Sequence, residues 1–106
     1  MILHKNKIGI LGGSFDPAHK GHLAISKEAI KRFKIKKIIW AITKKNPLKK
    51  KSGVNLQDRI NYCKKIIGKN ISIKVKFYEE IIKSNKTINL INYLKKNKKN
   101  EIYFLM

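Results

Sequence analysis

The chain has 106 residues and a formal charge of +20, from 26 basic and 6 acidic side chains; that length suits one domain with a modest core. No stretch approaches the roughly 20 apolar residues of a membrane span, and the short apolar region at the N-terminus merges into the first strand rather than forming a secretory signal. Of the basic residues 24 are Lys, and Lys, Ile and Asn, all drawn from A/T-rich codons, make up half of the chain. The charge therefore reads as codon bias, not as a specific nucleic-acid reader, which would favour Arg and interleaved aromatics; residual polyanion binding would be nonspecific and salt-sensitive.

In chain order, Lys7 to Leu11 reads as a short buried strand that stops at the Gly12–Gly13 pair. A turn follows with Asp16–Pro17, and a helix runs from Gly21 to Phe33 with Ile25, Ala29, Ile30 and Phe33 on its apolar face. Lys37 to Thr43 is a second strand, and Lys44 to Val54 a lysine-rich loop. Asn55 is a candidate N-cap for a helix with Leu56, Ile60, Cys63 and Ile67 on one stripe, ended by Gly68. The lone Cys63 excludes an internal disulfide and reads as core. Ile71 to Phe77 alternates as a half-buried strand. Ser84 or Asn85 can cap a helix from about Thr87 to Lys96, and Glu101 to Met106 is a fourth strand.

The order β-α-β-α-β-α-β predicts a Rossmann-like α/β fold, a parallel sheet with flanking helices and no internal domain boundary over 1–106. Ligands of such sheets sit beyond the carboxyl ends of the strands. That edge holds the run Gly9 to Leu23, GILGGSFDPAHKGHL. Gly12 and Gly13 can take φ > 0 and admit a ligand close to the backbone. Pro17 removes an N–H that a first helical turn would not use. His19 and His22, three apart, share a face at a helix N-terminus, where the dipole favours an anion. The same Gly-Gly and Asp-Pro also make an ordinary tight βα turn, but two of the chain's three histidines fall here.

Behind the Gly12–Gly13 pair, Phe15, Asp16, Pro17, His19, Gly21 and His22 resemble the G-x-F-D-P-x-H-x-G-H signature of the HxGH nucleotidyltransferases. Within them the chain is similar to the bacterial nicotinate-mononucleotide adenylyltransferases of NAD biosynthesis. Ile39-Trp40-Ala41-Ile42 with Asn46-Pro47-Leu48-Lys49, Asp58-Arg59, and Thr87-Ile88-Asn89 with Leu94 resemble further segments of that family. Asn89 and Leu90 stand where the family usually has Asp and Thr. The resemblance implies adenylyl transfer from ATP to nicotinate mononucleotide, giving deamido-NAD and pyrophosphate, with His19 and His22 catalytic. It also implies that Gly12, Gly13, Ser14, Phe15 and Lys49 bind the nucleotide, and Thr87 the nicotinate half. Mg²⁺ would be bound through the ATP phosphates, with no protein metal site.

Bland readings stand beside these: Lys49 as a solvated loop lysine, Thr87 as a helix-start threonine, Arg59 as structural, and Trp40 as core or as a ring platform. The resembled family continues beyond this length into a G-x-D turn and an I-S-[ST]-[ST] helix start. The chain therefore reads as an apparently truncated, N-terminal half of that fold. Self-association through Ile102, Phe104 and Met106 is expected, as is a cytoplasmic location. The alternatives are a catalytically incomplete nucleotide-binding fragment and an HxGH enzyme with a nicotinamide mononucleotide or phosphopantetheine acceptor. The phosphopantetheine enzymes usually have Thr at the position of His19.

Overall fold

The computed structural model describes residues 6–44, 54–84, 86–97 and 99–105. Its elements are β1 (Asn6–Gly13), α1 (Lys20–Phe33), β2 (Lys37–Ile42), α2 (Leu56–Ile67), β3 (Ile73–Lys76), α3 (Glu79–Ile82), α4 (Thr87–Lys95) and β4 (Asn100–Phe104). The strands form one parallel sheet in the order β3-β2-β1-β4. This is the expected Rossmann-like α/β architecture. The chain lays strands outward from β1 to β3 and then returns to the other side of β1. The point where the order reverses lies between β1 and β4, the position beyond the strand ends at which ligands of such sheets sit.

Two cores follow from the two-residue period of strands. Leu11, Ile38, Trp40, Ile42 and Ile73 pack with Ala29 of α1 and Cys63 and Ile67 of α2. Ile8, Ile10, Ile39 and Ala41 pack on the opposite face with Tyr78 and with Leu90 of α4. Both faces of β1 and β2 are thus covered, which is why these strands read as continuous apolar runs. Cys63 is fully buried, and burial pushes its thiol up to about 11. Asn55 caps α2 by accepting from the Asp58 N–H at 2.8 Å, and Gly68, at φ 62, ends it.

Several local expectations change. β1 does not stop at the glycine pair: Gly12 pairs with Ala41 and Gly13 with Ile42, and the Thr43 N–H donates to the Gly13 carbonyl at 2.9 Å. A glycine pair can stay extended when the neighbouring strand supplies hydrogen-bond partners. Ile25 and Phe33 are half-exposed on α1, and Ser26 occupies the buried stripe, its hydroxyl hydrogen-bonded there. β3 is shorter than Ile71–Phe77, since Ile71, at 84% exposure, lies outside the ladder with β2. A four-residue α3, unsignalled by periodicity, precedes α4. Ser84 is not the N-cap of α4: that position is Lys86, without a side-chain cap. Ser84 Oγ instead accepts from the Lys86 N–H and the Asn89 amide. Asn85 lies outside the described residues. Ile102 packs against the second core, whereas Phe104 is half-exposed; Met106 is outside the described residues. Among the described residues no helix is long and apolar enough to cross a membrane.

Candidate functional site

Residues Ser14 to His19 join β1 to α1 at the carboxyl edge of the sheet. His19 is the N-cap of α1, and its Nδ1 accepts from the Gly21 N–H at 3.0 Å. His22, at the third helical position, returns the favour: its Nδ1 accepts from the His19 N–H at 3.0 Å. Such a reciprocal box is usually built from Ser or Thr with Glu or Gln; here two imidazoles do both jobs. Gly21 makes this possible, because a Cβ there would stand 2.8 Å from His19 Nδ1 and Cε1.

The box fixes the tautomers. With each Nδ1 lone pair accepting a backbone N–H, each neutral ring carries its proton on Nε2. The two rings stack with centroids 3.9 Å apart. Two Nε2–H donors therefore leave the N-terminus of α1 side by side, where the helix dipole is positive. The first turn of α1 contains no acidic residue to repel an anion. This arrangement can hold a phosphate group.

Beneath the pair lies an aromatic support. The Phe15 ring is 4.7 Å from His22 and stacks on Trp40 at 5.1 Å, with 10° between the planes. Trp40 is completely buried and donates its Nε1–H to Ser26 Oγ at 2.8 Å; the Ser26 hydroxyl donates to the His22 carbonyl at 2.9 Å. Trp40 is thus core, and the ring it stacks on belongs to Phe15.

The structure brings His19, His22 and Phe15 together, with Gly12, Gly13 and Ser14 leading into the turn. The residue with positive φ is Phe15, at 49°, and neither Gly12 nor Gly13. The glycines are held extended by pairing with β2, so the chain reverses two residues later than their sequence suggests. The buried Phe15 ring anchors that left-handed residue despite a cost of about 1–3 kcal/mol. Pro17 is not in the first helical turn, because His19 takes the cap and the helix begins at Lys20. Thr87 is the exposed first residue of α4, with no hydrogen bond or ring contact to this turn among the described residues. Lys49 and the rest of its loop lie outside the described residues.

Two residues beside the site hold it from behind: Ser26, and Arg59, which is structural as expected. Ser26 carries no signal beyond being one helical turn after His22. Arg59 is one of only two arginines and is 3% exposed. Its Nη1 donates to the carbonyls of Ser14 and Thr43 at 2.7 Å, and its Nη2 to that of Lys44.

Burial, and then the charge of His19, hold the His22 imidazole below its ordinary pKa of 6.5. Protonating Nδ1 would also break its bond to the His19 N–H. A depressed native pKa means that the stabilisation is complete above about 6.5, the unfolded value, and is lost as the pH falls through the native one. The melting temperature of the wild type is therefore expected to fall more steeply between pH 7 and 5 than that of His22→Gln. Equal slopes in thermal melts would show that His22 does not couple to folding.

A parallel α/β sheet with a histidine-capped turn at its switch point is the architecture of nucleotidyltransferase-like folds. A cytidylyltransferase-like family model matches residues 10–106, and the chain belongs to that family. Among curated relatives, the probable nicotinate-nucleotide adenylyltransferase of Pelagibacter ubique (strain HTCC1062) is 69% identical over 102 residues, which is 96% of this chain and 57% of the relative. Two structures of Plasmodium falciparum nicotinic acid mononucleotide adenylyltransferase are similar at 25% identity. The one complexed with NaAD has a TM-score of 0.73 over 95% of this chain and 51% of that one. The one complexed with APC has a TM-score of 0.75 over 95% and 50%. The chain thus spans about half the length of these relatives.

Proposed function

We propose that the protein transfers the adenylyl group of ATP to nicotinate mononucleotide, forming deamido-NAD and releasing pyrophosphate as a step of NAD biosynthesis in the cytoplasm. The observation that carries this reading is the pair of Nε2–H donors at the N-terminus of α1. The names of the relatives supply the acceptor. An oxygen of the acceptor phosphate attacks the α-phosphorus of ATP in line, and the bond to the β-phosphate oxygen breaks. The attacking oxygen is already an anion near neutral pH, so the step needs positioning and charge stabilisation more than a base. His19 and His22 would donate to the ATP phosphates as charge moves toward pyrophosphate. Gly12, Gly13, Ser14 and Phe15 would line the nucleotide with backbone, Lys49 would approach a phosphate, and Thr87 would meet the nicotinate half.

Mg²⁺ fits as a partner of the nucleotide. Mg²⁺ keeps several waters and binds through phosphates rather than a protein cage, so phosphate oxygens and water would hold it. When bound it neutralises phosphate charge.

Titration calorimetry is expected to show saturable binding of ATP with Mg²⁺. Chromatography of reactions with ATP is expected to show deamido-NAD from nicotinate mononucleotide in preference to the adducts of nicotinamide mononucleotide or phosphopantetheine. Absence of ATP binding, or preference for another acceptor, would overturn the assignment.

A further inference from the structure

Arg59 lies in the first turn of α2, far in sequence from the turn it grips. Three carbonyl oxygens, of Ser14, Thr43 and Lys44, converge on its buried guanidinium. Among the described residues, the chain's other arginine, Arg32, makes a surface pair with Glu28. A planar fork can hold several acceptors at once in fixed directions, which an ammonium cannot.

Peptide geometry gives this grip a consequence. In a trans peptide the C=O and the following N–H point in opposite directions. The Thr43–Lys44 peptide shows it directly: its carbonyl faces Arg59 and its N–H, on Lys44, donates to Glu79 Oε1 at 2.9 Å. The Ser14–Phe15 peptide is held the same way by its carbonyl, so the Phe15 N–H points away from Arg59. That N–H has no acceptor among the described residues, and Phe15 is the left-handed residue whose ring packs, tilted, against His22 at 4.7 Å. We propose that Arg59 is a positioning residue of the phosphate site: it locks the Ser14–Phe15 peptide so that the Phe15 N–H joins the Nε2–H groups of His19 and His22 as a third donor, and it ties that turn to the end of β2. This deepens the phosphate-binding reading above and rests on it.

The test uses pyrophosphate as the probe, followed by calorimetry and by the ¹⁵N–¹H signal of Phe15. Arg59→Met is expected to weaken pyrophosphate binding about tenfold or more, the weight of one hydrogen bond to a charged group. The Phe15 signal is expected to lose its response, and Arg59→Lys to recover part of the affinity. Cys63→Ala, one turn further along α2 in the core, is the control: it should lower stability and leave affinity unchanged. Wild-type affinity in folded Arg59→Met would overturn the proposal, as would an equal loss in Cys63→Ala. Should Arg59→Met not fold, Arg59→Lys decides: wild-type affinity with an unmoved Phe15 signal overturns the proposal, and weakened affinity with a shifted signal supports it. A wild type that ignores pyrophosphate refutes the proposal and the phosphate site together. A wild type whose pyrophosphate binding depends on Arg59 but which binds no nucleotide leaves this proposal standing and removes adenylyl transfer.

Discussion

His19→Asn is expected to leave α1 capped and the fold intact while removing most of the proposed adenylyl transfer. Asn is among the best N-cap residues, and its side-chain oxygen can accept the Gly21 N–H that His19 Nδ1 accepts now. It cannot place a donor where the Nε2–H of His19 stands. Losing one such donor typically lowers turnover by about 10²–10³-fold. His19→Ala removes both functions, adding about 1 kcal/mol of lost capping to the same catalytic loss. The comparison of turnover with urea midpoint separates the two roles. His19→Asn with wild-type turnover would show that the imidazole is only a cap. The double replacement with His22→Gln should cost less than the product of the single losses, because the stacked rings act on one group of atoms.

Trp40→Ala is expected to be among the most destabilising single changes in the described core. The side chain is wholly buried in the centre of β2, and truncating such an aromatic costs about 3–5 kcal/mol. Against a typical domain stability of about 5–15 kcal/mol that is a large fraction. Trp40→Phe keeps most of the volume and the stack on Phe15 but deletes the donor to Ser26 Oγ. Its expected cost is about 1–2 kcal/mol, since Ser26 can still donate to the His22 carbonyl. Urea denaturation measures both, and a loss for Trp40→Ala no greater than that of a surface substitution would contradict the packing described here. Because Phe15 rests on Trp40 and His22 on Phe15, Trp40→Ala should also weaken ATP binding, whereas Trp40→Phe should weaken it much less.

The sequence by itself determined the alternating order of strands and helices, hence a parallel sheet, the strand–turn–helix around His19 and His22, the Asn55 cap and the Gly68 stop. Each of these is written in near neighbours: apolar period, cap residue, breaker. Only the tertiary structure decided what depends on residues distant along the chain. Ser26 rather than Ile25 lies in the core because Trp40, fourteen residues on, offers it a hydrogen bond. Phe15 takes the left-handed conformation, and the glycines do not, because β2 holds Gly12 and Gly13 extended while Trp40 and His22 pack the Phe15 ring. Arg59 resembles any helix-start arginine until the fold brings the Ser14, Thr43 and Lys44 carbonyls to it. The tautomers of the two histidines belong to the same class. Spacing places both rings at one helix end, but only the folded geometry, by occupying both Nδ1 atoms, leaves Nε2–H as the donor each ring presents.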